Sequence, residues 1–320
     1  MIVYSLFDAI PFDPNTILTV GTFDGVHRGH QYIIAAMNEL KKSRTNARTV
    51  VVTFEPHPQL VIQRPDKPPI TLLTDISERL QLLESYGVDM VVIIPFTKEF
   101  SQISSNEFIK TFIQERIGCS DIFIGYDHGF GKSRQGDART LHALSSELGF
   151  TVHEIDAMLM DSTTISSTEI RSSLKEGNLQ VAFELLGHPY FVEGMVIHGD
   201  QRGRTIGYPT ANIQAANPAK LLPKNGVYFV SSDILGKTVY GMANIGTRPT
   251  VTNLDDIRFE VHFFDLNEDL YHQQIVIWFL KFIRDEQQFA SIESLQEQLH
   301  IDEQYCRDII STLQGNDTQS

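Results

Sequence analysis

The chain has 320 residues, of which 42% are hydrophobic, and a formal net charge of −14. That length predicts about two domains, each large enough to bury its own core. The acidic balance argues against a nucleic-acid-binding protein, whose footprint is a basic patch, but glycine-rich loops and bound cations still allow anionic nucleotides to bind. Two cysteines, Cys119 and Cys306, are too few for a disulfide framework, and no apolar run is long enough to span a membrane. We therefore expect a cytoplasmic protein with no membrane partner.

The first half of the chain alternates between strand and helix patterns. Apolar runs rich in β-branched residues predict strands over residues 17–22, 49–54, 90–95, 122–125 and 151–155. Helical periodicity lies between them: after residue 30, from a cap at Thr74 to Gly87, from a capping box at Ser104 to Gly118, and over 141–148. This alternation predicts a parallel sheet with right-handed crossovers, which is a Rossmann-like α/β domain. Ligands of such sheets bind beyond the carboxyl ends of the strands.

A glycine-rich loop follows the first predicted strand. Residues 21–30 read GTFDGVHRGH, and a helical pattern begins directly after them. The three glycines let the backbone turn sharply and approach a ligand, and His27 and His30 share one face of the helix start. A helix N-terminus favours an anion, so two imidazoles there suit a polyphosphate. One histidine alone would indicate a cap or a surface residue, whereas this combination predicts a phosphate site.

Three further motifs follow strands of the first half. Residues 53–58, TFEPHP, form a strand end broken by two prolines, and a rigid loop explains them equally well. Residues 125–136 contain GKS, but Tyr126 stands where a Walker A loop requires glycine, so we reject that motif. Residues 165–171, ISSTEIR, predict a helix start whose hydroxyls cap the helix and whose Arg171 reaches a phosphate on the same face.

The second half reads as short strands with glycine-rich turns. Apolar runs predict strands over residues 191–197, 227–230, 239–245, 259–264 and 275–282, which is typical of a small antiparallel barrel. The segment 292–313 is amphipathic, and Asp302 is expected to cap a second helix within it. We expect domains over residues 1–185 and 186–314, followed by a frayed tail over 315–320.

The second half carries an oxygen-rich motif of its own. Residues 198–212 read HGDQRGRTIGYPTAN, which combines a glycine turn with two arginines. Thr210 and Asn212 are alternate residues, so both point the same way on an extended segment. Their oxygens suit Mg²⁺ when phosphate oxygens complete the coordination shell. An isolated motif of this kind is more often a turn with satisfied polar side chains.

These motifs together resemble those of a known enzyme family. HRGH and the preceding GTFDGV resemble the FAD synthetase branch of the nucleotidyltransferases, as do residues 165–171 and the strand-linked GYDHGFG at 125–131. Residues 198–212 resemble the riboflavin kinase signature, supported by GMANIGTRP at 241–249, RFEVHFFD at 258–265 and FIRDE at 282–286. The chain is thus similar, over roughly residues 5–312, to the prokaryotic bifunctional riboflavin kinase/FAD synthetases.

The resemblance implies roles for individual residues. In the adenylyltransferase, His27 and His30 would stabilise charge on the phosphates, and in the kinase Glu260 would accept the 5′-hydroxyl proton of riboflavin. The residues implied to bind the adenylyltransferase nucleotide are Gly21, Phe23, Asp24, Gly29, His30, Ser167, Thr168 and Arg171, and those implied to bind its flavin are His57 and Asp127. The residues implied to bind the kinase nucleotide are Gly203, Arg204, Gly207, Thr210 and Asn212, with Thr210 and Asn212 on Mg²⁺, and those implied to bind its flavin are Arg284 and Glu286.

The implied function is the phosphorylation of riboflavin to FMN by the barrel, followed by adenylyl transfer from ATP to FMN by the α/β domain. The expected partners are riboflavin, FMN and ATP, with Mg²⁺ as cofactor, no nucleic acid, and a monomeric chain. Two alternatives stay open. One is an adenylyltransferase whose barrel only binds substrate, and the other is a flavin-binding regulator without turnover.

Overall fold

The computed structural model describes residues 1–63, 65–66, 68–126, 138–156, 158–160, 163–199, 202–248 and 256–317. The chain divides into two compact units, Met1–Ser167 and Thr168–Ser320. Each unit has a sheet of its own.

The first unit is built on a six-stranded parallel sheet, which confirms the predicted Rossmann-like architecture. The sheet order is β1-β4-β3-β2-β5-β6. Its strands are β1 (Ile2–Ser5), β2 (Thr16–Val20), β3 (Arg48–Glu55), β4 (Met90–Pro95), β5 (Asp121–Gly125) and β6 (Thr151–Ile155). The edge strand β1 was not predicted: its apolar run, Ile2–Tyr4, is only three residues long, and its residues are exposed or half-buried in the sheet.

Helices and short segments connect these strands. The helices of this part of the chain are α1 (Arg28–Lys42), α2 (Pro58–Val61), α3 (Ile76–Ser85), α4 (Ser105–Glu107), α5 (Ala138–Leu148) and α6 (Ser167–Glu176). The helix predicted from Ser104 begins as α4, with Ser104 as its cap, and continues as a π-helical segment, Phe108–Glu115. A two-stranded hairpin, β7 (Leu159–Met160) with β8 (Thr163–Thr164), precedes α6.

The central strands of this sheet are buried on both faces. Ile17 and Leu18 are adjacent on β2 and therefore point to opposite faces, yet neither is exposed to solvent. Ile17 packs with Ile33 and Met37 of α1, whereas Leu18 belongs to a larger core with residues of β3, β4 and β5. Cover on both faces explains why these strands read as continuous apolar runs.

Helix α3 begins one residue later than predicted, with Asp75 rather than Thr74 as its cap. The Asp75 side chain accepts a hydrogen bond from the Glu78 amide, and the Glu78 side chain accepts one from the Asp75 amide, both at 2.9 Å. The Thr74 amide instead donates to the carboxylate of Asp24 in a distant loop. A long-range partner therefore decides which of two capping residues begins the helix.

The second unit contains a closed antiparallel barrel, as predicted. The strand order is β10-β13-β12-β11-β14-β9. Its elements are α7 (Leu179–Leu186), β9 (Tyr190–Ile197), α8 (Arg202–Thr205), β10 (Ala211–Ala215), β11 (Gly226–Ile234), β12 (Lys237–Arg248), β13 (Asp256–Phe263), β14 (Gln274–Arg284) and α9 (Ile292–Asp317). Strand β10, predicted only as an extended segment, closes the barrel by pairing with β9 and β13.

The C-terminal segment forms one helix, so the prediction of two helices is wrong. Asp302 lies inside α9, and its carboxylate accepts hydrogen bonds from Nε and Nη2 of Arg284 on β14. That ion pair, rather than a helix start, explains the buried acidic residue. The backbone stays helical through residue 317, and residues 318–320 lie outside the described part of the chain. Across the described ranges, no helix has the length and apolar character needed to cross a bilayer.

The barrel core predicts a large effect of truncating Phe229. This side chain is 1% exposed, and its ring stacks on that of Tyr240 with the ring centroids 5.5 Å apart. Replacing it with alanine should lower the free energy of unfolding by about 3–5 kcal/mol, through lost burial and a residual cavity. Unfolding can be followed by the fluorescence of Trp278, the single tryptophan. Trp278 pairs with Ser231, which lies on the same strand as Phe229.

A matched control is Leu235→Asn in the turn between β11 and β12. Leu235 is 73% exposed and has a φ of 52°, which asparagine tolerates well. The control should change the free energy of unfolding by less than about 0.5 kcal/mol. Equal effects of the two substitutions would contradict the assignment of Phe229 to the core.

Two candidate nucleotide sites

The loop between β2 and α1 is held by hydrogen bonds from the start of α3. The Asp24 carboxylate is buried, and its Oδ1 accepts hydrogen bonds from the amides of Leu73 and Thr74, each at 2.9 Å. The Gly25 amide donates to Oγ1 of Thr74 at 2.9 Å. The carboxylate of Asp24 thus fixes the loop, and its predicted contact with a nucleotide stays a prediction.

The two histidines of this loop lie together at the N-terminus of α1. The imidazole rings of His27 and His30 stack with centroids 3.7 Å apart, and the Phe23 ring lies 4.6 Å from His30. A Cβ on Gly29 would come within 3.2 Å of the His27 ring, so glycine allows the close approach. The free amides and the dipole of this 15-residue helix favour an anion in the same place.

The environment of His30 favours its neutral form. Burial, the neighbouring His27 and the guanidinium of Arg79 together hold the pKa of His30 well below its usual value. Its Nδ1 is buried and has no hydrogen-bond partner among the described residues. The imidazole therefore has hydrogen-bonding capacity that a bound phosphate can use.

The remaining adenylyltransferase predictions fall in several places. Ser167 Oγ donates to the Asp24 carbonyl at 3.0 Å, whereas Thr168 and Arg171 follow on α6 and belong to the second unit. His57 is 4% exposed and caps α2, its Nδ1 accepting from the Gln59 amide. Gly21 continues β2, its amide donating to the Val52 carbonyl. Asp127 lies outside the described residues.

The barrel brings together the residues predicted for the kinase chemistry. In the strand register, Glu260 on β13 is opposite both Asn212 on β10 and Asn244 on β12. Directly opposed residues of antiparallel strands point to the same face, so the three side chains share one surface. Thr210 Oγ1 lies 3.5 Å from Glu260 Oε2, and Arg258 Nη1 lies 3.6 Å from Glu260 Oε1. A cluster of oxygen atoms beside a carboxylate results.

Glycines shape the loop before β10. A Cβ on Gly203 would lie 2.1 Å from the Tyr208 carbonyl oxygen, and one on Gly199 would lie 2.1 Å from Nδ2 of Asn212. Gly207 has a φ of 86°, a conformation that favours glycine. Arg204 is exposed on α8. The first two glycines are thus required by close approach, and the third by its backbone angle.

The two residues predicted for the kinase flavin differ in their surroundings. Nε and Nη2 of Arg284 donate to the Asp302 carboxylate of α9, and Nη1 donates to the Asp285 carbonyl. Glu286 is exposed, and its Oε1 lies over Gly246, where a Cβ would be only 2.0 Å away. Arg284 therefore also ties β14 to the C-terminal helix, and the flavin contacts of both residues stay predictions.

Two polar residues at these sites were missed from the sequence. Asn244 stands beside Glu260 in the barrel, although it was not singled out within residues 241–249. Arg79 of α3 has no solvent exposure. The sequence did contain a signal for its burial. Arg79 lies three residues after Ile76 and four before Leu83, which places it on the apolar face of the helix.

The comparisons with known proteins match both units. The sequence model of the FAD synthetase family matches residues 9–169, and that of the riboflavin kinase family matches residues 186–310. The fold and the motifs therefore define a protein that joins a nucleotidyltransferase unit to a flavokinase barrel. The chain belongs to the bifunctional riboflavin kinase/FMN adenylyltransferase family.

Individual relatives span nearly the whole chain. The bifunctional riboflavin kinase/FMN adenylyltransferase of Escherichia coli (strain K12) is 39% identical over 293 residues, covering 91% of this chain and 92% of that protein. The protein of the same name from Listeria monocytogenes is 36% identical and covers 94% of this chain and 95% of its own length. A crystal structure of a Streptococcus pneumoniae protein described as a macrolide-efflux protein has 32% identity and a TM-score of 0.85, covering 96% of this chain and 99% of that one.

The histidine pair predicts a measurable coupling of protonation. In His27→Ala, the pKa of His30 should rise, because a neighbouring positive charge no longer opposes protonation. It should stay below the usual histidine value, because burial is the largest cause of the depression. NMR titration of the ring protons measures this, with His142→Gln as a control on an exposed helix face. An unchanged or lower pKa of His30 in His27→Ala would contradict the interpretation.

Proposed function

We propose that this chain makes FAD from riboflavin in two ATP-dependent steps, one on each unit. The observation that carries the proposal is that each unit brings together side chains suited to one of the two steps. The histidine pair lies at the N-terminus of α1, and the Thr210, Asn212 and Glu260 cluster lies on the barrel. Relatives that carry both activities in their names align over both units.

The first step is the phosphorylation of riboflavin on the barrel. Glu260 accepts the proton of the 5′-hydroxyl while that oxygen bonds to the γ-phosphorus of ATP. The bond between the γ-phosphorus and the bridging oxygen breaks, so ADP leaves and FMN forms. Glu260 is half-buried, with 23% of its side chain exposed, so it can reach a substrate in the barrel mouth. Gly203, Arg204 and Gly207 would bind the nucleotide, and Arg284 and Glu286 the flavin.

The oxygen cluster fits Mg²⁺ as the cofactor of this step. Thr210 and Asn212 supply neutral hydroxyl and amide oxygens, which are ligands that Mg²⁺ accepts. The described residues contain no group of three or more His, Cys, Asp or Glu side chains suited to a metal. Few protein ligands are expected here, because Mg²⁺ keeps water and phosphate oxygens in its shell. When bound, the ion would neutralise charge on the ATP phosphates.

The second step is adenylyl transfer on the α/β unit. An FMN phosphate oxygen bonds to the α-phosphorus of a second ATP, and the bond from that phosphorus to the bridging oxygen breaks. Pyrophosphate leaves and FAD forms, with no covalent enzyme intermediate. His27 and His30 stabilise the charge that develops on the phosphates. Gly21, Phe23, Asp24, Gly29, Ser167, Thr168 and Arg171 are proposed to shape or contact the nucleotide site, and His57 and Asp127 the flavin site.

The two proposed activities imply a boundary between two domains of the chain. We assign the adenylyltransferase to residues 1–185, the kinase to 186–314 and a tail to 315–320. The family matches end at residue 169 and resume at 186, which agrees with a division in this region. The second compact unit begins earlier, at Thr168, and includes helix α7 with its buried Leu179, Leu185 and Leu186, so the compact units divide ahead of the proposed boundary. The acidic composition favours a chain that binds no nucleic acid, and this expectation, like those of a cytoplasmic location and a monomer, stays a prediction.

A binding-only barrel and a non-catalytic flavin regulator are the alternatives. Neither alternative requires the Glu260 carboxylate beside Thr210 and Asn212, where strands β10 and β13 pair. Incubation of the purified chain with riboflavin, ATP and Mg²⁺, followed by chromatography of the flavins, separates the three. FMN first and FAD later supports the proposal. FAD formed only from supplied FMN supports the binding-only barrel, and flavin binding without conversion supports the regulator.

His30→Ala and Glu260→Gln should separate the two activities. His30→Ala should lower FAD formation from FMN by about 100-fold or more, because a phosphate-stabilising group is lost, while riboflavin is still converted to FMN. Glu260→Gln should lower FMN formation by about 100- to 10,000-fold, because amides accept protons poorly, while supplied FMN is still adenylylated. His142→Ala and Glu268→Gln, at exposed positions, are the controls. Loss of both activities in either folded variant would contradict the assignment.

Removal of one hydroxyl should weaken Mg²⁺ use by the kinase. Thr210→Val keeps the side-chain shape but removes Oγ1, so the Mg²⁺ concentration for half-maximal FMN formation should rise by about tenfold or more. The matched control is Thr238→Val, which removes a hydroxyl bonded to Asp233 on the β11–β12 hairpin. Chelation of Mg²⁺ should abolish FMN formation in every variant. The same Mg²⁺ dependence in Thr210→Val and Thr238→Val would overturn the ligand assignment.

A further inference from the structure

A buried arginine contacts the end of β3, next to the loop that carries the histidine pair. Arg79 of α3 is 0% exposed, and the charges that act on its pKa come from Asp24, Glu55, Asp75 and Glu78. A guanidinium remains protonated in proteins, so α3 carries a permanent positive charge into the interior. Burying a charge is costly unless it is paired and hydrogen-bonded.

The contacts of Arg79 join two segments that border the site. Its Nη1 donates to Thr53 Oγ1 and to the Phe54 carbonyl, both at 3.1 Å. Thr53 Oγ1 in turn donates to the Thr22 carbonyl at 3.1 Å. Arg79 thus links the carboxyl end of β3 to the loop that carries His27, and one helix holds both segments.

Most of the guanidinium is not used for internal hydrogen bonding. Nε and Nη2 of Arg79 have no hydrogen-bond partner among the described residues. The nearest acidic atom, Glu55 Oε2, lies 3.7 Å from Nη2 and is itself buried without a hydrogen bond. A purely structural arginine would be expected to satisfy these donors, because a buried donor without a hydrogen bond is destabilising. The positive charge on Nε and Nη2 of Arg79 therefore acts on the groups around it without being held in a hydrogen bond to a described residue.

The charge of Arg79 acts on His30. His27 from α1 and Arg79 from α3 both oppose protonation of His30, and burial acts in the same direction. Asp24 and Glu55 lie near Arg79 and partly balance its charge. A neutral imidazole can accept at one ring nitrogen and donate from the other, so it can donate to a phosphate oxygen without adding a charge.

We propose that Arg79 is a positioning residue for adenylyl transfer, which fixes the loop of residues 22–27 against the end of β3 and sets the electrostatic environment of the histidine pair. This inference rests on the proposed function of the first unit. Arg79 contributes in two separable ways: its planar fork sets geometry, and its charge sets the protonation of its neighbour.

Two substitutions separate these contributions. Arg79→Gln removes the charge but keeps a donor, and Arg79→Lys keeps the charge but loses the planar fork. Each should lower kcat for FAD formation from FMN by about 10- to 100-fold, because a small displacement of the loop misaligns the reacting groups. Only Arg79→Gln should move the acidic limb of the kcat profile to higher pH, because His30 then gains a proton more readily as pH falls. Arg79→Lys should keep the wild-type position of that limb.

Conversion of riboflavin to FMN by the same chain serves as the internal control, because its residues lie on the barrel. Asp121→Asn is a matched control for destabilisation, since it disturbs a buried carboxylate that bonds Arg44 and His153. It should lower the melting temperature and leave the acidic limb in place.

The outcomes are distinct. An acidic limb that stays in place in Arg79→Gln, or a wild-type kcat in both variants, overturns the proposal. An equal shift of the limb in Arg79→Gln and Arg79→Lys also overturns it, because charge would then not be the cause. A wild-type chain that forms no FAD from FMN would instead overturn the proposed function itself.

Discussion

The buried carboxylate of Asp24 is the group on which the geometry of the first site depends. Its loop contains Phe23 and Val26 with positive φ angles of 50° and 38°, a conformation that costs about 1–3 kcal/mol for each non-glycine residue. Hydrogen bonds from the amides of Leu73 and Thr74 to a buried carboxylate offset that cost. The loop can therefore hold His27 and His30 against each other before any ligand arrives. The start of α3 thus belongs to the site, although none of its residues was predicted there.

Strand register is the corresponding constraint in the barrel. Asn212, Glu260 and Asn244 come from three segments that are distant in the chain, and they share a surface only because β10, β13 and β12 pair at that level. A shift of one residue would turn each side chain to the other face of the sheet. The backbone hydrogen bonds that hold the barrel strands in register therefore also fix the positions of the oxygen cluster. In the proposed function the two units bind phosphate differently, one with backbone amides and two imidazoles, the other with hydroxyl and amide oxygens around a cation.

Much of the fold could be predicted because each element carries its own periodicity. The strands at residues 90–95 and 151–155 have the predicted bounds, and the alternation of strands and helices identified the parallel sheet. The motif residues of both sites could be predicted because their types and spacing match a known family. Elements with weak local patterns were missed: β1 is a short edge strand, and β10, with the sequence ANIQA, is a strand because β9 and β13 lie on either side of it.

The sequence by itself determined the two domain types and their order, because these follow from local periodicity, and its motif spacing singled out the candidate site residues. Only the tertiary structure decided the partners of the buried charges. Asp302 was expected to cap a helix and is instead paired with Arg284, and Arg79, on the apolar face of α3, is buried and donates to Thr53 and Phe54. The physical reason is that a charged side chain is stabilised by whichever groups surround it in space. Those groups come from distant parts of the chain, which no local pattern encodes.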